Sequence, residues 1–492
     1  MFVPAKKKRL RSSSKKWKPH NYQLRAIARG TIQKYLAYFL DPGLGKTSII
    51  LMLFKMLQAA GLVKSLLVIA PLRPCYLVWP KEVKKWRNFN DLSICVLHNE
   101  WKIKKEVAIK QQHDIYVINP EGLPWLKAQL KGKHKKNWPF DMLVVDESTK
   151  FKNMNSNRFK NLKGMLGKFS RRYILTGTPI PNGLDNIQGQ VAIVDMGETF
   201  GIFKADWHYK YFKQVGKPEW GQWIPKNDMK AEEIYKKVAP FAMRMKGCDY
   251  LDLPERIDNV IKIKLPRKAR KHYDEVESDL FTLIDDKDLN ASTSGVAAMK
   301  CQQIANGSIY EDDDPINPQY KNNDNRPFHI IHTAKLDALE DLVEELDGKP
   351  LLVGYKFKHD WKQLKKRFKK DIVTLGSGTS MKEAQKIEKQ FNQGKIKILA
   401  AYPGTAALGL NLQETCNNVC WYSMLHDWEA YDQFIKRAER QGNRHDHVMN
   451  HLLIAEDTVD EGIVTSLNTK QANEENFLNA MVKYRKLKLI NK

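Results

Sequence analysis

Residues 41–47 read Asp-Pro-Gly-Leu-Gly-Lys-Thr, between the apolar run Tyr35–Leu40 and a helical stretch, Thr47–Ala60, that Gly61 ends. Strand, glycine turn and helix in that order point to a parallel α/β arrangement. Glycines let the backbone curl so that several N–H groups point inward, and the helix start adds positive potential. Such a loop cradles phosphate. Lys46 is placed to reach the β and γ phosphates of a nucleotide, and the Thr47 hydroxyl to ligate Mg²⁺. Gly43, Leu44, Gly45 and Ser48 complete the expected phosphate-loop set. The strict GxxxxGK[ST] pattern fails at its first position, where Leu40 stands. An ordinary glycine turn before a helix is the bland alternative, and the strand–loop–helix context argues against it.

Three further segments carry chemistry in a consistent order. Asp146-Glu147 follows the apolar run Met142–Val145. A carboxylate at the C-terminal end of a buried strand faces the crevice where α/β sheets bind ligands. Asp146 is expected to hold Mg²⁺ through water, and Glu147 to orient and deprotonate an attacking water. Thr176-Gly-Thr-Pro179 closes the next apolar run, Tyr173–Leu175. Its hydroxyls, Thr176 and Thr178, are candidates for coupling to the Asp146-Glu147 segment. Near the C-terminus the spacing predicts Gln433, Arg437 and Arg440 on one helical face. Guanidinium groups there can stabilise transition-state charge at a γ phosphate. Taken alone, that last segment is better read as a solvated amphipathic basic helix.

The chain has 492 residues, enough for two to four domains at about 150 residues each. Residues 20–190 alternate helices with short apolar runs: Leu66–Ala70, Ile115–Ile118, Met142–Val145 and Tyr173–Leu175. Runs of that kind fit strands buried on both faces of a parallel sheet. A second α/β set occupies 331–492, with runs at 350–355, 371–375, 397–402 and 418–424. Between them, 191–330 is rich in Trp, Tyr and Lys and then mostly helical, and its polar segment 311–327 reads as a linker. The six cysteines are scattered without a CxxC pair, which argues against a zinc site.

Lys and Arg total 82 against 56 Asp and Glu, a formal net charge of +26 that points to a polyanionic partner. Residues 1–19 hold eight of these cations and no acid, and predict a disordered arm, either contacting phosphate or a solvated tail without that role. No run approaches the roughly 18–20 apolar residues needed to cross a bilayer, so no membrane role is expected. The N-terminus lacks the apolar core of a secretory signal. Cytoplasmic residence is therefore expected, with the nucleus as alternative.

Together the four motifs, in this order, resemble the Swi/Snf-like branch of superfamily 2 helicases and DNA translocases, in its compact bacteriophage or prophage form. His20-Asn-Tyr-Gln23 is similar to the adenine-reading glutamine motif. Ala70-Pro-Leu72 with Trp79-Pro-Lys-Glu82 and Lys85-Trp86 resembles the APL…W..E..KW segment. Asp146 to Asn153 parallels a DEAHxxKN box, Leu175 to Asn182 an LTGTPxxN box, and Leu408-Gly-Leu-Asn-Leu412 a GLNL motif. Gln433 to Gly442 is similar to QxxxRxxRxG, and Arg244 to Pro254 to an R.K…LP stretch. Thr149 stands where the box usually has His, and Asn443 where the last motif usually has Gln.

The resemblance implies two RecA-like parallel-sheet lobes with a helical insertion between them, and ATP with Mg²⁺ bound where the lobes meet. It adds Gln23, Gly409 and Gln433 to the nucleotide set and makes Arg437 and Arg440 arginine fingers. It also places a nucleic-acid strand near Arg73 and Thr405. A lysine cluster, Lys131, Lys133, Lys135 and Lys136, flanked by Trp125 and Trp138, is a second candidate contact. Trp207, Tyr209, Tyr211, Trp220 and Trp223 interleave with lysines, which suits base stacking or, the favoured reading, internal packing. The expected activity is DNA-dependent ATP hydrolysis by a monomer moving along duplex or branched DNA, with RNA still open as substrate. The rival from another class is an ATP-dependent nucleic-acid clamp with little turnover.

Overall fold

A computed structural model describes residues 15–98, 102–129, 138–215, 222–285, 291–311, 326–376, 378–406 and 410–490. The chain divides into two compact units. The first comprises residues 1–177, 187–204 and 237–245, and the second 178–186, 205–236 and 246–492.

The first unit is built on a seven-stranded sheet: β1 (Tyr35–Leu40), β2 (Leu66–Ile69), β3 (Ile94–Val96), β4 (Ile115–Ile118), β5 (Met142–Asp146), β6 (Arg171–Thr176) and β9 (Ala242–Met245). Their spatial order is β3-β4-β2-β5-β6-β1-β9, and each pairing is parallel. β2 and β4 are buried along their whole length. That explains their unbroken apolar sequences, because helices cover both faces of such a sheet. At about 1.5–3 kcal/mol for each fully buried Leu, Ile or Val, even four-residue strands are firmly held. β6 starts earlier than the run Tyr173–Leu175 suggested, since it opens with two buried arginines. Arg171 donates to the Gly30 and Thr31 carbonyls at 3.1 Å, and Arg172 to the Val194 carbonyl at 3.0 Å. Hydrogen bonds to backbone carbonyls let a buried guanidinium be tolerated.

The second unit has a six-stranded sheet formed by β10 (Glu255–Ile263), β13 (Leu351–Gly354), β14 (Ile372–Leu375), β15 (Ile398–Ala401), β16 (Asn418–Trp421) and β17 (His447–Ala455). The order β10-β17-β16-β13-β15-β14 is again parallel throughout. Its core joins Leu351, Val353, Ile398, Ala400 and Leu453 to Leu336, Leu339 and Leu342 of the helix Ala334–Glu345. Two short antiparallel hairpins, β7 (Phe212–Val215) with β8 (Gln222–Pro225) and β11 (Ser308–Tyr310) with β12 (Phe328–Ile330), complete the strands. The fold is thus two RecA-like parallel-sheet lobes.

The stretch 191–330 is mixed in structure. Its helices include Lys204–Tyr211, Asp228–Val238, Arg267–Asp285 and Ala291–Asn306, but β9 joins the first sheet and β10 the second. β10 escaped the apolar-run criterion because it is an edge strand, mostly exposed along its length. The 311–327 linker falls almost wholly outside the described residues. So do residues 1–14 of the basic arm. Residues 15–17, by contrast, pack onto the first unit. Trp17 is buried against Phe89, with ring centroids 5.5 Å apart, and its N–H donates to Asn88 Oδ1 at 2.8 Å. A tryptophan has too much apolar surface to leave in a solvated tail.

Candidate nucleotide site

The parallel order β5-β6-β1 brings three motif-bearing strand ends side by side. Phe39 is in register with Thr176, and Asp146 with Leu175. The loop after β1, the carboxylates at the end of β5 and the threonine closing β6 therefore share one edge of the first sheet. That edge is where parallel sheets bind ligands.

The loop leads into α2 (Lys46–Ala59), with Gly45 at its N-cap. Gly43 and Gly45 have φ of 89° and 78°, left-handed values that only glycine adopts without strain. A Cβ on Gly45 would also sit 2.6 Å from Gln23 Nε2. Gln23 lies in α1 (Asn21–Ile32), is buried, and donates from Nε2 to the Leu44 carbonyl at 3.1 Å. Its Oε1 accepts from the His20 N–H at 3.0 Å. The glutamine thus holds the loop's backbone from behind. Lys46 Nζ donates to the Leu40 carbonyl at 2.9 Å, which folds its side chain back over the loop. Ser48 is buried and donates to Glu82 Oε1 at 2.5 Å, and Trp86 Nε1 donates to the same oxygen at 2.6 Å. Ser48 is therefore tied to α4 (Trp79–Lys85) rather than turned toward the loop.

Burial pushes the Asp146 carboxyl above the ordinary carboxylate range, while the Lys46 ammonium and the Trp79 indole pull it back. Trp79 Nε1 donates to Asp146 Oδ2 at 3.0 Å. Glu147 adopts φ 52°, uncommon for a residue with a side chain, at the cap of the 3₁₀ turn Ser148–Phe151. Strain of that kind clusters at functional sites. Ser148 donates to Gln190 Oε1 at 2.8 Å, and Thr149 is buried beside it. Thr176 and Thr178 are also buried. Gly177 passes close to the loop, where a Cβ would lie 3.1 Å from Pro42.

The sequence placed Arg244 only in the R.K…LP stretch and gave it no part in this site. Arg244 of β9 pairs with Asp41 at 2.6 Å, and its side chain is 6% exposed. The signal was available as an arginine in an otherwise apolar run, Ala242–Met245, but nothing local linked it to residue 41.

In the second unit, Gln433 is buried in the helix Trp428–Ile435 and donates to Glu429 Oε1 at 3.3 Å. The predicted single helical face is corrected here. The helix ends at Ile435, and Arg437 and Arg440 lie in the turns that follow. Arg437 Nε donates to the Gln433 carbonyl at 3.2 Å, and NH1 to the Leu410 carbonyl at 3.1 Å. Two guanidinium bonds to carbonyls can hold Arg437 in a fixed direction without helix geometry.

The nucleic-acid candidates separate from one another. Arg73, in α3 (Leu72–Leu77), is half-buried, and burial lowers its pKa. Thr405 falls in the short helix Pro403–Ala406. Lys131, Lys133, Lys135, Lys136 and Gly409 lie outside the described residues. Trp207 and Tyr211 are buried and pack on each other with centroids 4.8 Å apart, and Trp207 Nε1 donates to Asp185 at 2.9 Å. Trp223 stacks on His208 at 3.8 Å, whereas Tyr209 is 84% exposed. Trp220 lies outside the described residues. These aromatics mainly pack internally, and Tyr209 alone among those described turns outward.

The residues present suit a nucleotide phosphate and a magnesium ion. The loop offers backbone N–H groups at a helix start, one ammonium beside it, and a hydroxyl and a carboxylate of the hard oxygen type that Mg²⁺ takes. Crowding at Gly45 leaves no room for a side chain in that cradle.

Comparison with known proteins gives matches along most of the chain. Residues 38–312 match the SNF2-related domain, and residues 334–442 the helicase conserved C-terminal domain. A putative protein, p41, of Acyrthosiphon pisum secondary endosymbiont phage 1 is 32% identical over 452 residues, covering 89% of this chain and 93% of the relative. An uncharacterized ATP-dependent helicase of Mycoplasma genitalium is 25% identical over 443 residues, 88% of this chain. The Saccharomyces cerevisiae transcription regulatory protein SNF2 is 26% identical over 457 residues, 86% of this chain. The chain spans only 39% and 25% of the length of those last two relatives. Among solved structures, the Sulfolobus solfataricus SWI2/SNF2 ATPase core in complex with dsDNA is similar at 21% identity and a TM-score of 0.44. That alignment covers 94% of this chain and 93% of the other.

Proposed function

Since the chain belongs to the SNF2-related family of helicase-like, ATP-dependent cores, we propose that it is a translocase that couples ATP hydrolysis to movement along duplex or branched DNA. The observation that carries this reading is the convergence of loop, carboxylates and threonine at one edge of the β5-β6-β1 strands. The helicase C-terminal match supports a second lobe acting with the first.

In this reading Gly43, Leu44, Gly45 and Lys46 bind the phosphates, and Gln23 supports the loop while reading adenine. Thr47 and Asp146 hold Mg²⁺, which supplies charge neutralisation at the phosphates. Glu147 orients the attacking water and takes its proton. Arg437 and Arg440 act as arginine fingers, Gln433 and Gly409 line the nucleotide, and Thr176 and Thr178 report its state. Ser48 acts by anchoring α2 through Glu82. Arg73, Thr405 and the 131–136 lysines contact the DNA backbone, which fixes position without reading bases. Residues 20–190 and 331–492 are the motor lobes, 191–330 the insertion and 1–19 a basic arm, and the protein works as a cytoplasmic monomer.

Triplex displacement measured beside unwinding of a forked duplex tests the proposal. Translocation predicts ATP-dependent loss of the third strand. An opened fork with an intact triplex would make the protein a strand-separating helicase instead.

A further inference from the structure

Phe39, Leu40 and Asp41 lead into the phosphate loop, and they run beside the last residues of the first unit. Leu40 is in register with Met245, and the Asp41 N–H donates to the Met245 carbonyl at 3.2 Å. From Lys246 onward the chain belongs to the second unit. The base of the phosphate loop is thus bonded directly to the point where the chain leaves the first unit for the last time.

Arg244 reinforces this junction. Its NH1 donates to Asp41 Oδ1 at 2.6 Å, the Met245 carbonyl at 2.7 Å and the Phe39 carbonyl at 3.3 Å. Three acceptors therefore compete for the two protons of one nitrogen. Meanwhile Arg244 Nε is buried without a hydrogen-bond partner. A buried unsatisfied donor is costly. A modest swing of the Asp41 carboxylate toward Nε would turn the one-point contact into a two-point fork, the stronger arginine–carboxylate geometry. Nε thus offers the Asp41 carboxylate a second point of contact, next to an NH1 that already bonds the Met245 carbonyl.

We propose that Arg244 is a positioning residue that, through Asp41, transmits the state of the phosphate loop to the segment joining the two units. Nucleotide binding shifts the loop, Asp41 shifts with it, and Arg244 carries the change to Met245 and Lys246. This inference rests on the translocase reading and assigns the coupling step within it.

The test is triplex displacement per ATP hydrolysed, measured for the full chain and for Arg244→Met and Arg244→Lys. With Arg244→Met, displacement per ATP falls about tenfold, a larger loss than that in turnover itself. Arg244→Lys keeps the charge but not the fork, so its ratio lies between wild type and the methionine variant. A merely structural role would lower turnover and displacement together, leave the ratio at the wild-type value and overturn the proposal. So would a lysine variant no better than methionine. Should Arg244→Met fail to fold by thermal melting, the Arg244→Lys ratio decides alone, and a wild-type ratio there overturns the proposal. Absence of ATP-driven displacement in the wild type would instead contradict the translocase reading itself.

Discussion

In the first unit the charged groups stand at strand ends with part of their surface open, and Lys46, Asp146 and Glu147 are all half-buried. In the second unit Lys335 and Asp460 are fully buried and 2.6 Å apart. Lys335 also donates to Asn306 Oδ1 at 2.8 Å, and Asn306 Nδ2 donates to Ser423 at 2.9 Å. The Ala455 N–H adds a bond to Asp460 Oδ2 at 3.1 Å. Charges enclosed in this way are neutralised by the protein itself, out of reach of solvent. Those at the first sheet's edge keep a face for chemistry. The same residue types thus stand at a partly open strand edge in one sheet, where the proposed chemistry lies, and are sealed inside the other.

Damage at the two places should have opposite consequences. Glu147→Gln should lower ATP turnover by about 10²–10⁴-fold with little change in the urea midpoint and with nucleotide binding retained. Abolished binding would contradict the role of water activation. Lys335→Met should do the reverse and remove about 3–5 kcal/mol of stability, because it strands a buried carboxylate. Urea unfolding reads this directly, and replacing both partners by apolar residues should recover much of the deficit. Gly45→Ala should weaken nucleotide binding by about tenfold, given a left-handed backbone strain of roughly 1–3 kcal/mol and the clash with Gln23. A fluorescent nucleotide titration measures it. Removing residues 1–14 should have the smallest effect, making the slope of log affinity against log salt shallower by roughly 0.9 for each phosphate the arm no longer neutralises. An unchanged slope would place the arm off the DNA.

Much of the first unit was legible because each of its central strands is a short apolar run ending in a chemically distinctive turn. The loop at 41–47, Asp146-Glu147 and Thr176 could be read one by one, and parallel topology then brought them together. β10 and β9 were not legible by that rule. β10 is exposed and alternating, and β9 contains Arg244, whose partner Asp41 lies some two hundred residues earlier. The 433–440 segment illustrates a different limit. Its spacing fits a helix, yet the chain leaves helical geometry at Ile435, and carbonyls at Gln433 and Leu410 orient Arg437 instead. Local periodicity carries no information about such tertiary partners.

A DNA motor of the proposed kind requires that nucleotide chemistry at the first sheet's edge be driven by DNA. Phosphate release with and without duplex DNA, under salt conditions where binding is observed, tests it most directly. We expect duplex DNA to raise the steady-state rate severalfold or more, with Lys46→Ala abolishing turnover in both conditions. An unstimulated rate on bound DNA would contradict the motor and favour a clamp.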